Sequence, residues 1–346
     1  MNEWLFPVFG ALIAFLIGVP LLTALARVFL SALPQGLDGA SLRANAWRFM
    51  LIVGPSLGTW AWLLSASVHQ ANEESALTAC LIDHFSGNLL RDEIFFGLLL
   101  CAILAIGVMR RLHATFDGHR LRTFVSPQEA NSGDKLRRIT EVCACHVKLK
   151  AIVDRIRVVR QGLAPACTRG FFRPRIELEE QLVDQLSDDE LTAVLLHEFE
   201  HMRGYDPLRF FGAQVALSIN PLASTLVHEF VRYRMVREAD CDRRAVQRGA
   251  DPLALARSIV LTAMQPAPAP HVSALGGHGL RSVQVRVRLL FDYAAQSPEP
   301  VRASVPFGPA SSLATTLLLC PHVLGTGPLD ILHTSIERAA LLLGWG

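Results

Sequence analysis

The chain has 346 residues, 51% of them hydrophobic and only 18% charged, with a mean hydropathy of +0.32 and a formal net charge of +2. Soluble domains carry about 25% charged residues, so the composition leans towards a membrane protein and excludes a disordered or collagen-like chain. Seven scattered cysteines are too few for a disulfide scaffold, and the length suffices for a sizeable core.

Three charge-free apolar runs come first: Leu5 to Ala26, Phe49 to Val68 and Ile94 to Met109. About 20 apolar residues at ~1.5 Å each cross the hydrocarbon core, so the first two are predicted to span. The third is short, and would draw on Leu89, Leu90 or snorkelling of Arg110 and Arg111. The first run is not a signal peptide by its flanks, because Glu3 precedes it and Arg27 follows it. Loop charge sets the orientation. Residues 69–93 hold five acids against Arg91, whereas 110–175 hold fifteen Lys and Arg against five acids. The positive-inside rule then puts the N-terminus outside and the chain after residue 110 in the cytoplasm. No nucleic-acid motif accompanies that basic stretch, so direct nucleic-acid binding is not expected.

Residues 156–160 and 166–178 are β-branched and aromatic around Gly170 and Pro174, which predicts a few short strands. An edge strand there could bind an extended peptide, and a solvated hairpin without that role is equally compatible with the sequence. Cys143 and Cys145, with His146, lack a partner pair and read as free thiols. Cys80 lies in the external loop, where it could pair between chains; a homodimer is therefore allowed.

The centre of the sequence is Leu195-Leu196-His197-Glu198-Phe199-Glu200-His201. Histidines at i and i+4 lie one above the other on a helix, spaced to bind one zinc ion. The glutamate between them can serve as general base for the attacking water. Ser187 to Glu190 reads as a capping box, and Gly204 as a stop signal, which predicts a helix over 188–203. A catalytic zinc needs a third protein ligand. Glu238 and Asp242, four apart on a second helical stretch ending at Gly249, suggest Glu238 as that ligand and Asp242 as acceptor for a ligand histidine's other ring nitrogen. Asp240 and Cys241 are expected to point elsewhere.

Between the two helices, Leu208 to Phe230 is apolar but only 23 residues long. One crossing would separate His201 from Glu238, and two crossings need about 40 residues, so the segment is predicted to be re-entrant, interfacial or buried, with a break at Asn220-Pro221. Residues 266–278 read as a proline- and glycine-rich link. Ala303 to Leu329 is a weaker fourth apolar stretch, interrupted by Pro306, Pro309 and Pro321 among others, and Ile331 to Trp345 reads as a short amphipathic helix. A second donor to a tetrahedral oxyanion is not placed by the sequence; Tyr205, Tyr233, His271, His278 and the arginines at 286–288 are the candidates.

The HExxH helix, the following Gly204-Tyr205-Asp206-Pro207, the Asn220-Pro221 pair, Glu238-x-x-x-Asp242 and the upstream stretch Cys167 to Leu178 resemble gluzincin membrane peptidases. The pattern is most similar to the BlaR/MecR antirepressor peptidase family, with the HtpX and CAAX-prenyl-protease family next. The resemblance covers roughly residues 90–290. It implies His197, His201 and Glu238 as ligands of one Zn2+ per chain, Glu198 as base and Asp242 as orienting acid. The 23-residue intervening segment favours the first branch, since the second is expected to carry a transmembrane hairpin there. Receptors of the first branch continue into an external penicillin-binding sensor, which is not expected in a chain that stops at Gly346.

These signals predict a predominantly α integral membrane protein with three to four transmembrane helices and a cytoplasmic α+β zincin-like metalloprotease domain. The expected divisions are a membrane domain over 1–109, a protease domain over 110–300 and a C-terminal membrane segment over 301–346. The expected activity is zinc endopeptidase cleavage at the cytoplasmic face of a bacterial inner membrane, in regulated signalling. The protein or peptide substrate would be a cytosolic repressor or the chain itself. Membrane-protein quality control, or a non-catalytic scaffold with structural zinc, are the alternatives; the presence of Glu198 weighs against the scaffold.

Overall fold

A computed structural model describes residues 18–37, 39–59, 106, 133–160, 164–264 and 280–295. Over these the chain is mostly helical with one small sheet. In order come α1 (Val19–Ala32), α2 (Gly39–Val53), a π-turn (Gly54–Gly58), α3 (Gly133–Ala144), α4 (Val147–Lys150) and β1 (Ile156–Val159). Then follow β2 (Ala166–Arg169), β3 (Arg175–Glu179), α5 (Glu180–Gln185), α6 (Asp188–Gly204), α7 (Asp206–Ser218), α8 (Ala223–Gln247), α9 (Pro252–Met264) and α10 (Leu280–Ala295).

The predicted strands resolve into a three-stranded sheet of order β1-β3-β2. β1 pairs parallel with β3, Ile156 opposite Ile176, and β2 pairs antiparallel with β3, Thr168 opposite Ile176. β2 is therefore an edge, and it lies against α6. The β2–β3 connection turns on Gly170 at φ +100, where a Cβ would sit 3.0 Å from the Arg173 carbonyl oxygen. Ile156, Ile176 and Leu178 enter the main core with Ile139, Leu149, Leu182, Leu191, Leu195 and Leu196, all fully buried. The apolar stripe of α6 is thereby clamped, and His197, Glu198 and His201 on its other side meet α8 and β2.

A second cluster joins α1 and α2 to α7 and α8 through Leu30, Ile52, Leu217, Leu226, Phe230 and Tyr233. It also contains polar groups. Arg48 of α2 is wholly buried, with Nε 3.3 Å from Glu229 Oε2 and Nη2 donating to the Pro34 carbonyl at 2.8 Å. Arg27 and Arg232 reach the other oxygen of Glu229 at 3.3 and 2.9 Å. α1 buries Val19, Thr23, Ala26 and Leu30, yet its opposite face exposes Leu21, Leu22, Leu25, Val28 and Phe29.

The expected break in 208–230 is present. α7 stops at Ser218, Asn220 Oδ1 accepts from the Leu222 N–H at 2.8 Å, and α8 begins after Pro221. α8 ends in a Schellman turn, with Gly249 at φ +105 and the Ala250 N–H donating to the Ala245 carbonyl at 3.0 Å. No helix among the described residues is long and apolar enough to cross a membrane. The first apolar run is described only from residue 18, the second only to 59 and the third only at 106. Residues 69–93 with Cys80, 266–278, 303–329 and 331–345 lie outside the described residues.

Candidate metal centre

The helix that carries the two histidines starts as its sequence dictates. Ser187 Oγ accepts from the Glu190 N–H at 3.3 Å, and Glu190 Oε2 accepts from the Ser187 N–H at 2.8 Å. Asp188, Asp189 and Glu190 place negative charge at the positive end of the helix dipole. The other end differs from expectation. Gly204 is still helical, and the left-handed cap is Tyr205 at φ 52. Glycine is required at 204 for space, since a Cβ there would run into the Arg237 guanidinium and Asp206 Oδ1.

His197 and His201 stack one turn apart, their Nε2 atoms 3.1 Å from each other. From α8, Glu238 brings Oε2 to 3.5 Å from His197 Nε2 and Oε1 to 3.5 Å from His201 Nε2. All three residues are buried, and Glu238 Oε1 has no hydrogen-bond partner. Ligands about 2.0–2.1 Å from a tetrahedral zinc lie ~3.3 Å apart, so this triangle of donors fits one such ion. Both outer nitrogens face acids: His201 Nδ1 is hydrogen-bonded to Asp206 Oδ2 at 2.6 Å, and His197 Nδ1 makes a close ion-pair contact with Asp242 Oδ1 at 2.9 Å without the alignment of a hydrogen bond. A carboxylate at Nδ1 holds the proton there and leaves Nε2 free to bind metal.

Each acid is anchored in turn by an arginine. Arg286 of α10 is bidentate on Asp242, at 2.6 and 2.7 Å, and its Nη1 lies 3.1 Å from Glu238 Oε2. Arg237 donates to Asp206 at 2.7 Å and to the Glu200 carbonyl at 2.9 Å. Burial opposes ionisation of Glu238, but the charges of His201 and Arg286 outweigh it and hold its carboxyl well below the usual range. Asp206 is lowered in the same way, burial being overcome first by Arg237 and then by His201. Burial also opposes a charge on His197 and His201, yet Asp242 and Glu238 raise His197, and Cys241, then Glu238 and Asp206, raise His201 further.

Glu198 is 4% exposed, and its Oε2 accepts from Thr168 Oγ1 of the edge strand at 2.8 Å. Glu198, His197 and Glu238 line a cavity of about 100 Å³ with Ala166, Val194, Ile259 and Arg286. Of the candidate oxyanion donors among the described residues, only Arg286 lines this cavity. Tyr233 lies in the second cluster, Tyr205 caps α6, and His271 and His278 lie outside the described residues.

Asp240 points away, as expected, towards Arg237, Arg243 and Arg244. Cys241 does not: its Sγ is 3.6 Å from His201 Nδ1, because residues three apart share a helix face with those four apart. His201, Asp206 and Cys241 thus form a second buried group of metal-binding types behind the first. Cys143 is buried with its thiol pushed up to about 11, Cys145 is exposed, and His146 Nε2 meets the Arg248 carbonyl at 2.7 Å. Asp206, Thr168 and Arg237 were given no role by the sequence reading. The visible signal for Asp206 was an acid set at a helix start between the tyrosine and Pro207.

A family model described as BlaR1 peptidase M56 matches residues 89–287, more than half of the chain, and takes in every residue of this centre. No curated protein and no solved structure matches the chain. Through that match the chain belongs to the BlaR1 peptidase M56 family, and it is a metallopeptidase.

Proposed function

We propose that the chain is a membrane-embedded zinc endopeptidase that cleaves proteins on the cytoplasmic side, in regulated proteolysis. The observation that carries the reading is the convergence of His197 Nε2, His201 Nε2 and the Glu238 carboxylate on one point, with Glu198 beside them on a cavity wall. Two imidazoles and a carboxylate are a donor set suited to zinc. Zinc bound there would polarise the scissile carbonyl and make water acidic enough to attack at neutral pH.

The chain's own groups do the rest. Thr168 holds the Glu198 carboxylate towards the cavity, where it takes the proton of the attacking water and delivers it to the leaving amine. Asp242 and Asp206 keep the two imidazoles in one tautomer and orientation. Arg286, held by Asp242 and Glu238, lines the cavity and places positive charge beside the site where the carbonyl oxygen becomes negative. β2, an edge strand in contact with Glu198, offers main-chain groups to an extended peptide.

Membrane embedding is supported by α1. It is apolar on both faces and continues a charge-free run that starts at Leu5. Arg27 and Arg48, which bracket the loop between the first two runs, both pair with Glu229 of the helix that bears Glu238. That loop and the peptidase then share one side of the bilayer, the arginine-rich one. Signalling use, with a cytosolic transcriptional repressor or the chain itself as substrate, is our reading of the family match. The test compares wild type with Glu198→Ala in detergent. Equal zinc in both, with cleavage of the chain or of casein in wild type only, is the expected result; absence of zinc from both would overturn the reading.

A further inference from the structure

We infer that the tip of the β2–β3 hairpin is an interfacial anchor that seats the catalytic cleft on the surface of an anionic bilayer. The inference rests on the proposed membrane embedding but assigns a contact outside the apolar runs. Phe172 is 82% exposed and Phe171 36% exposed, adjacent at the tip. Isolated exposed aromatics are common, but this one is held out by a stiff turn. Gly170 takes a left-handed φ of +100, Pro174 is buried on the far side, and the Phe171 ring packs 4.8 Å from Phe211 of α7. The residues adjoining the pair in sequence are basic, although Arg169 is paired with Glu177 at 3.5 Å. Arg169, Arg173 and Arg175 flank it, Arg173 and Arg175 are exposed, and no acid occurs between Ala164 and Ile176. Aromatic rings between arginines match the boundary of an anionic bilayer, where rings enter the headgroup layer and guanidinium groups meet phosphate.

The position of the tip supports a lipid rather than a peptide occupant. Phe211 lies beside Phe210, whose ring is 6.0 Å from Tyr233 in the cluster that also binds α1 and α2. The tip therefore packs on α7, the helix that also joins the cluster of α1 and α2, and α1 itself exposes Leu25, Val28 and Phe29. The functional consequence follows from strand length. Thr168, which touches Glu198, is only two residues from Gly170. At ~3.3 Å per residue Thr168 lies about 7 Å along the strand from Gly170, where the hairpin begins to turn. A cleft so placed favours substrate segments that run along the membrane surface.

The test uses the full chain in nanodiscs containing phosphatidylglycerol, with Phe172→Trp measured against the parent's five tryptophans. The added emission is expected to be quenched by brominated acyl chains and shielded from aqueous acrylamide. Arg173→Ala and Arg175→Ala should each lower the ratio of inserted to free tip about fivefold on anionic lipid. Phe29→Trp, on α1, reports separately on embedding of the chain. Quenching from Phe29→Trp but acrylamide-accessible emission from Phe172→Trp would overturn the anchor and leave the embedding intact. Lack of bromolipid quenching at both positions would overturn both. Shielding of Phe172→Trp only when a peptide substrate is added, without bromolipid quenching, would make the tip a peptide contact and also overturn the anchor.

Discussion

Asp206 carries more of the centre's order than its place after the HExxH helix suggests, and Asp206→Asn isolates its charge. The carboxylate is 1% exposed and its Oδ2 is shared by His201 Nδ1 at 2.6 Å and Arg237 Nε at 2.7 Å. Asparagine keeps the size and can still accept from one of them, but it removes one of the guanidinium's two carboxylate partners. Breaking a buried ion pair costs about 3–5 kcal/mol when no partner remains. Arg237 keeps Asp240 at 2.9 Å and the Glu200 carbonyl at 2.9 Å, so the loss should fall to about 2–3 kcal/mol. The histidine loses its anionic partner as well, which typically weakens metal binding about 10–100-fold. Chelator competition measures the second effect, and thermal unfolding of the metal-free protein measures the first. Unchanged metal affinity together with an unchanged unfolding temperature would refute the role given to Asp206.

Three further outcomes follow from the same geometry. Glu229→Ala strands the buried Arg48 and should cost about 3 kcal/mol, whereas adding Arg48→Met should recover most of it; both are read by unfolding in detergent. Gly204→Ala should destabilise by about 1–3 kcal/mol by displacing the Arg237 guanidinium, while Tyr205→Gly, at the left-handed cap, should be neutral or stabilising by up to about 1 kcal/mol. Because the folded pKa values of His197 and His201 are raised, protons compete with metal, and chelator competition should show affinity falling as pH drops through the neutral range. The lowered folded pKa of Asp206 has the opposite sense. Its contribution to stability is complete above its unfolded value of about 3.9 and is lost as pH falls through the folded value.

The parts of the centre that were legible in the sequence are those set within one helix. The capping box fixed the start of α6, and i, i+4 spacing joined His197 to His201 and Glu238 to Asp242. The same logic was applied too narrowly to α8, since Cys241, three residues after Glu238, shares that face and reaches His201. Contacts made by packing were not legible. Thr168 meets Glu198 only because β2 lies along α6, and Asp206 reaches His201 only because Tyr205 turns the chain left-handed after the helix. Strand positions followed from β-branched runs, but the parallel pairing of β1 with β3, with β2 at the edge, depends on long-range register. Arg286 was one of several candidate oxyanion donors; its place on the cavity wall, held there by two hydrogen bonds to Asp242, comes from packing of α10 and not from spacing.

The central claim is that His197, His201 and Glu238 hold one zinc ion. X-ray absorption at the zinc edge of the purified chain tests it most directly. The account predicts a shell of nitrogen and oxygen only, at about 2.0–2.2 Å, with the scattering pattern of two imidazoles. A sulfur ligand at about 2.3 Å would contradict it, by placing the metal on Cys241 and Asp206 behind His201 instead.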